Sequence, residues 1–326
     1  MADPATDAPP RRLPVDRFLA AVQRVPLWVL ATAVIVVLVI VAGYAASRPL
    51  SWRPPIEITP TRTPTPTPQP TPAPPAAAPD QPELLAAIIS IEAQYRTSLG
   101  LAIAPIASPG HVTMQPWVGG SLTNSLAWRT IDVPVAMAVA SDSNQPKDLD
   151  YLLKTAITQD SPAGDDALWQ FLGTPQDAVD KTTAILTAAG DTTTTLPAGS
   201  ATNGSPVFSE VWWRQGDAAQ VMGGLFCMSP SWSVVYHLTE GGPLNGFGLA
   251  SLPNSLVRTG SGEVTALYSG TSIRQVGILM LSNGARVGVS LAAAADDGTA
   301  ATASQAMTAV AALLPPLKGY TSTTCV

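Results

Sequence analysis

An uncharged apolar stretch at residues 25–47 constrains this chain more than any other feature. The stretch consists mostly of Val, Leu, Ile and Ala, and about 20 apolar residues are enough to cross the hydrocarbon core of a bilayer. It therefore predicts a single transmembrane helix. A cleaved signal peptide is the alternative. The stretch is longer than the apolar part of a signal peptide, and the residues that follow it, Arg48 and Pro49, do not resemble a cleavage site.

The charges on either side of this stretch indicate its orientation. Four arginines precede it within residues 1–24, and three follow it within residues 48–62. Because positive residues are enriched on the cytoplasmic side of a membrane, the excess favours a cytoplasmic tail at residues 1–24. The remainder of the chain would then lie outside the cell membrane.

Residues 48–82 form a tract rich in Pro, Thr and Ala, with Pro at alternate positions through residues 64–70. Frequent Pro prevents helix and sheet and favours extended polyproline II. At about 3.1 Å per residue, some 34 residues reach roughly 100 Å. The tract is therefore predicted to be an extracytoplasmic linker that lifts a domain away from the membrane, and its Thr-Pro repeats are candidates for O-glycosylation. A plain disordered linker is a compatible interpretation.

From residue 83 to residue 326 the composition becomes that of one globular domain. Apolar spacing predicts helices over residues 83–97, 129–139, 148–173, 176–189, 208–225 and 299–314. Alternating patterns and turn residues predict strands over residues 100–104, 111–115, 255–258, 272–281 and 286–293. The order is one helix, two strands, a helical block, three strands and a last helix. Such segregation of strands and helices indicates the α+β class.

The composition also limits cofactors and partners. The net charge is −6 and the pI is about 4.8, which argues against a nucleic-acid surface. His111 and His237 have no ligand partners at metal spacing, so no metal or other cofactor is expected. Cys227 and Cys325 are expected to pair outside the membrane, with two free thiols as the alternative. Such a disulfide would close a loop of about 100 residues, worth about 4–5 kcal/mol in the chain-entropy model.

Residues 126–138 read Leu-Ala-Trp-Arg-Thr-Ile-Asp-Val-Pro-Val-Ala-Met-Ala. This window resembles the nucleophile helix of the serine β-lactamase and penicillin-binding protein family, which reads roughly Ser-Thr-x-Lys-Val-Pro. In that family the Ser attacks an acyl group, and the Lys one turn later assists removal of its proton. Here Arg129 stands at the Ser position and Asp132 at the Lys position, and no Ser-x-x-Lys occurs elsewhere. At i and i+3 the two can pair, and we expect that ion pair to fill the nucleophile's place.

The family's second box is Ser-Asp-Asn, on a loop of its helical subdomain. Residues 156–169 resemble the surroundings of this box, but the triplet reads Asp160-Ser161-Pro162. Ser161 therefore stands one position late, and the Asn is missing. The resemblance thus implies that this box has lost its chemistry as well.

The third box is Lys-Thr-Gly, on the strand that lines the pocket. Arg258-Thr259-Gly260 stands in its place. Arg258 keeps the positive charge and could hold a carboxylate, while Thr259 and Gly260 would leave the strand edge open for a peptide-like ligand. We therefore predict a ligand site at these three residues and no catalytic residue. An ordinary surface strand is the alternative.

The resemblance extends over residues 83–314 and is nearest to anchored β-lactamase-like proteins of high-GC Gram-positive bacteria. It implies a five-stranded antiparallel sheet flanked by the first and last helices, with a helical subdomain inserted between strands two and three. The leading hypothesis for function is a pseudoenzyme that binds a cell-wall peptide or an envelope protein. One alternative is an active serine hydrolase on peptidoglycan peptides or esters that uses Ser125, Ser161 or Ser261. Another is a structural or sensory ectodomain whose cleft has no ligand.

Overall fold

The computed structural model of the protein describes residues 74–198, 210–239, 246–264, 270–321 and 325. The predicted cytoplasmic tail, the transmembrane helix and the linker up to residue 73 lie outside these ranges, so they stay predictions. Within the described ranges, no helix combines the length and the apolar character that crossing a membrane requires.

The end of the predicted linker packs against the globular domain. The backbone of Ala76 donates to Thr113 O at 2.9 Å and accepts from Gln115 N at 2.8 Å. The Gln81 side chain donates to Lys318 O at 2.9 Å. Residues 76–81 are therefore tied to the domain before its first helix begins.

The centre of the fold is a five-stranded antiparallel sheet in the order β2-β1-β7-β6-β5. Its strands are β1 (Thr97–Pro105), β2 (Trp117–Gly119), β5 (Leu256–Val264), β6 (Gly270–Met280) and β7 (Arg286–Ala295). The central strands β1 and β7 are buried over almost their whole length. Two short strands, β3 (Asn124–Leu126) and β4 (Trp212–Arg214), pair separately beside the sheet.

The helices of the described residues form layers on both faces of this sheet. They are α1 (Pro82–Tyr95), α2 (Asp132–Ser141), α3 (Leu149–Leu153), α4 (Pro162–Phe171), α5 (Pro175–Ala188), α6 (Gln215–Leu225), α7 (Ser231–Thr239) and α8 (Ala300–Ala311). Helices α1 and α8 pack together on one face, and α6 packs on the other against β1 and β7. The remaining helices surround α2, which is the central helix of the inserted subdomain.

Two apolar cores follow from this layering. One lies between the sheet and α1 with α8, and includes Leu84 and Ile88 of α1 and Met307 of α8. The other lies between the sheet's second face and the helical subdomain, and includes nearly all of α2 together with Met222 of α6. The sheet is thus covered on both faces, as its buried central strands require.

The element predictions were right in order and wrong in several positions. Predicted strand 111–115 is wrong: the second strand is Trp117–Gly119, and residues 111–113 are irregular. The predicted helix 208–225 begins only at Gln215, because Trp212–Arg214 pairs with β3 instead. The block 148–173 is not continuous, because one π-helical turn (Lys154–Thr158) and an irregular segment separate α3 from α4. Helix α7 was not predicted.

The predicted disulfide is confirmed. Cys227, just after α6, is bonded to Cys325 across 98 positions of sequence. The bond ties the C-terminal end of the chain, which follows α8, to the end of α6. It therefore joins segments that extend from opposite faces of the sheet.

Candidate functional site

The start of the central helix α2 carries the two residues at which the sequence departs from a nucleophile motif. A 3₁₀ turn (Trp128–Ile131) leads directly into α2. The helix is built almost wholly from small and apolar residues, and it is buried from Asp132 to Ala140. Asp132 is 0% exposed. A charged residue therefore lies in the core at the first position of the helix, and burial of a carboxylate requires a partner.

Asp132 and Arg129 do not pair with each other, so that expectation was wrong. Arg129 Nη1 instead donates to Asp165 Oδ2 at 2.6 Å and to the backbone oxygen of Asp160 at 3.0 Å. Asp132 Oδ2 accepts from Arg258 Nη2 at 2.8 Å. The two side chains do not meet because they point in different directions. The Arg129 side chain extends towards the loop before α4, whereas Asp132 faces β5.

Arg258 lies on β5 and connects this strand to the start of α2 and to the loop before α4. Its Nη2 atom is 2.8 Å from Asp132 Oδ2 and 2.8 Å from Asp160 Oδ1. Its other donors reach the backbone oxygens of Ile157 at 2.9 Å and Arg129 at 3.2 Å. The side chain is 3% exposed. The predicted ligand-binding guanidinium is thus buried and saturated by the protein itself.

We call Arg129, Asp132, Asp160, Asp165 and Arg258 the charge cluster. Its members come from the turn before α2, the start of α2, the loop and first turn of α4, and β5. The positions predicted from the first and second boxes and the Arg of the third therefore converge in space. Asp165 was not predicted, because the adjacent pair Asp165-Asp166 gives no sign in the sequence of which carboxylate is buried.

The charge cluster contains three carboxyl groups and two guanidinium groups. Oxygen Oδ1 of Asp132 and Oδ1 of Asp165 are buried, and neither has a hydrogen-bond partner among the described residues. Burial, and then the neighbouring Asp132 charge, raises the pKa of Asp165 to about 9. Burial also raises the pKa of Asp132, against the opposing effect of Arg258. One proton held by this pair leaves the cluster neutral.

Strand β5 and the turn before α2 are in direct contact. A Cβ atom added at Gly260 would lie 2.8 Å from Arg129 N and 3.1 Å from Thr130 N. A Cβ at Gly262 would overlap the indole ring of Trp128, whose Nε1 donates to Ser272 Oγ at 2.9 Å. Strand β5 therefore lies against the turn before α2 at Gly260 and Gly262, with no room for a side chain at either position.

The other predicted site residues lie outside the charge cluster. Thr259 points to the opposite face of β5, is buried, and accepts from Gln275 Nε2 at 3.1 Å. Pro162 is the first residue of α4, and Ser161 immediately precedes it. Gly260 is the point of contact with the turn before α2 and supplies no side chain.

The three candidate nucleophiles differ in exposure but share the lack of a base. Ser125 is buried on β3, with its hydroxyl near Leu126 O and the Gln215 amide. Ser161 is partly exposed, and Ser261 is exposed on β5. In the part of the chain that the structure describes, none of these hydroxyls hydrogen-bonds to a carboxylate, a histidine or a lysine. A general base within hydrogen-bonding reach is what activates a serine.

The architecture is similar to that of solved β-lactamases. The TLA-3 extended-spectrum β-lactamase gives a TM-score of 0.55 at 14% identity, covering 71% of this chain and 96% of that enzyme. A β-lactamase from Chitinophaga pinensis gives 0.55 at 13% identity, covering 71% and 97%. The chromosome-encoded β-lactamase of Vibrio parahaemolyticus gives 0.51 at 14% identity, covering 71% and 97%. No protein-family model and no curated protein matches the sequence. The predicted β-lactamase-like fold is thereby confirmed.

Proposed function

We propose that this chain is a membrane-anchored, extracytoplasmic pseudoenzyme of the β-lactamase fold, which binds a cell-wall peptide or an envelope protein without acyl transfer. The observation that carries the proposal is the charge cluster. The positions at which the resemblance expects a nucleophile, a base and a substrate-binding lysine hold Arg129, Asp132 and Arg258. The side chains of these residues are bonded to one another and to Asp160 and Asp165.

The chemistry of these residues supports the loss of turnover. A guanidinium cannot attack an acyl carbon, and the Asp132 carboxylate is buried against Arg258. The close contact of Gly260 with the turn before α2 leaves no room for a side chain at this point of β5. Since the charged side chains of the cluster are bonded to one another, we infer that the ligand contacts a surface outside the charge cluster.

The extracytoplasmic location rests on the sequence. The apolar stretch at residues 25–47 and the Pro/Thr-rich linker would hold the domain at a distance from the membrane. The Cys227–Cys325 disulfide supports this location, because such bonds persist in oxidising compartments. A domain held there on a long linker would meet the cell wall and the proteins that build it.

The test is covalent labelling of the full-length protein with a fluorescent penicillin, beside an active penicillin-binding protein as the positive control. We expect no label that survives denaturation. A stable label would contradict the proposal, and mapping it to Ser125, Ser161 or Ser261 would support the serine-hydrolase alternative. A serine-reactive fluorophosphonate probe, used in parallel, is expected to give the same negative result.

The binding half of the proposal needs its own measurement. Cosedimentation of the full-length protein with purified peptidoglycan should show saturable retention if a wall peptide is the ligand. The same experiment with bovine serum albumin measures non-specific retention. Retention no greater than this background would contradict wall binding, and it would leave the envelope-protein form of the proposal to be tested by crosslinking in cells.

A further inference from the structure

A cavity lies at the edge of the sheet that is formed by β2, at the opposite edge from β5. It occupies about 360 Å³ between β2, the β3–β4 pair and the first turn of α6. Its walls are formed by Gln115, Pro116, Val118, Thr123, Asn124, Arg214, Gly216 and Asp217. We call it the β2–β4 cavity. A volume of this size is in the range of small-ligand pockets.

Two opposite charges, Arg214 and Asp217, line the β2–β4 cavity and do not form an ion pair with each other. Arg214 is exposed, and in the described part of the chain its guanidinium forms no ion pair. Asp217 is partly buried, and its Oδ2 atom accepts from Thr193 Oγ1 at 2.6 Å. Burial raises the pKa of Asp217, against the opposing effects of the Thr193 hydrogen bond and of the Arg214 charge. The cavity therefore offers one cation and one anion to a ligand.

The register of β3 and β4 arranges the rest of the wall. Asn124 is directly opposite Arg214 in the antiparallel pair, so their side chains share the outer face. Trp212, two positions before Arg214 on the same face of β4, lies beside the cavity without forming part of its wall and is 43% exposed. Val118, on the edge strand β2, is 42% exposed. Beside the two charges there are thus amide groups for hydrogen bonding, and an exposed indole and valine for an apolar group.

We propose that the β2–β4 cavity binds a small zwitterion that carries one carboxylate and one ammonium group, either a free α-amino acid or a short peptide with both of its ends free. Arg214 binds the carboxylate, for which its planar fork of donors is suited. Asp217 binds the ammonium group, the Asn124 amide completes the polar contacts, and Val118 with Trp212 contacts the side chain of the ligand. The site is separate from the charge cluster, so it does not depend on whether the chain is a pseudoenzyme.

The proposal is tested by isothermal titration calorimetry of the full-length protein with trialanine. Saturable binding is expected, and Arg214→Gln and Asp217→Asn should each weaken it by about 10-fold or more, because each removes a charge-assisted hydrogen bond. Asp217→Asn is nearly isosteric, and Arg214 is exposed, so both variants are expected to fold. Circular dichroism checks this. Lys147→Gln is the matched control, since it removes one positive charge from an exposed residue outside the cavity.

Modified ligands separate the contribution of Arg214 from that of Asp217. They also distinguish a free amino acid from a peptide as the ligand. Trialanine amide should lose the contribution of Arg214, and N-acetyl-trialanine should lose that of Asp217. Free alanine binding as tightly as trialanine would identify a free amino acid as the ligand, whereas much weaker binding of alanine would identify a short peptide that uses both of its ends. Absence of binding by all four compounds, or binding unchanged by both cavity variants, would overturn the proposal.

Discussion

At the scale of single residues, the charge cluster consists of buried charges that satisfy one another. Asp132 and Arg258 would each be costly to bury alone, but their 2.8 Å contact and the bonds of Arg258 to backbone oxygens compensate for lost solvation. The third carboxyl, Asp165, is accommodated by holding a proton. The five side chains of the charge cluster therefore depend on one another for their burial. Removal of different members should change the free energy of unfolding in different ways.

Replacement of Asp165 by Asn should remove a pH dependence of stability. The pKa of Asp165 in the folded protein, about 9, exceeds its ordinary value of about 3.9. The folded state therefore binds a proton that the unfolded chain releases, and stability falls as pH rises from about 4 towards 9, by at most about 1.4 kcal/mol per pH unit for one proton. Asn mimics the protonated carboxyl, so Asp165→Asn should flatten this decline.

Urea titrations at several values between about pH 5 and pH 8 measure this effect as the difference in slope between the variant and the wild type. Asp166→Asn is the matched control, because Asp166 is the exposed neighbour on the same helix. Parallel stability curves for wild type and Asp165→Asn would show that Asp165 is ionised in the folded protein.

Removal of Arg258 should be strongly destabilising, and removal of its partner should reverse most of the loss. Arg258→Met leaves the Asp132 carboxylate buried without its arginine, which costs about 3–5 kcal/mol. The double variant Arg258→Met/Asp132→Leu contains neither charge and should regain most of that stability. Denaturant unfolding of both single variants and the double variant gives the coupling energy.

An exposed ion pair supplies the comparison for this cycle. Arg96 and Asp296 are 3.7 Å apart, with side chains 82% and 57% exposed. Arg96→Met is expected to cost less than about 1 kcal/mol, because exposed pairs are solvated in both states. An Arg258→Met protein as stable as Arg96→Met would show that the charge cluster does not contribute as proposed.

At the scale of secondary-structure elements, the sequence predicted the bounds of an element well where its apolar pattern continues over many residues. Strands β6 and β7 and helices α1, α5 and α8 were predicted close to their observed bounds, because apolar alternation or helical spacing persists over ten or more residues. Strand β2 has three residues, too few for a pattern. The segment Trp212–Arg214 forms a strand only through pairing with β3, which is a tertiary contact.

The candidate site was predictable in its positions but not in its contacts. The resemblance located Arg129, Asp132, Asp160 and Arg258, because each falls within a motif with recognisable surroundings. Which carboxylate each arginine contacts depends on side-chain direction, and Arg129 turns away from its neighbour on the helix towards Asp165. Spacing along the sequence limits which side chains can come into contact. Packing against β5 and α4 determines which of these contacts form.

The contact between β5 and the turn before α2 allows a direct test of site closure. Gly260→Ala places a methyl group 2.8 Å from Arg129 N, and backbone atoms cannot move aside as a side chain can. We expect a loss of about 1–3 kcal/mol in the free energy of unfolding. Ser261→Ala, at the next and exposed position of the same strand, should change stability little. Equal stability of the two variants would indicate an open gap at this point.

At the scale of the whole molecule, two cores on opposite faces of one sheet are joined by a covalent bond. The core under α1 and α8 and the core around α2 and α6 share only the sheet between them. The Cys227–Cys325 disulfide connects the end of α6 to the segment that follows α8. It restricts the unfolded chain over most of the second half of the sequence, so its effect on stability belongs to the domain and to neither core alone.

Loss of this disulfide should lower the free energy of unfolding by about 2–5 kcal/mol, since a loop of about 100 residues is closed in the unfolded chain. Urea unfolding of Cys325→Ser, compared with wild type, measures the loss. Reducing agent should destabilise the wild type by a similar amount and leave Cys325→Ser unchanged, because that variant has no bond to reduce. Destabilisation of both proteins by the reductant would point to an effect other than this disulfide. An unchanged wild type would show that the bond does not contribute to stability.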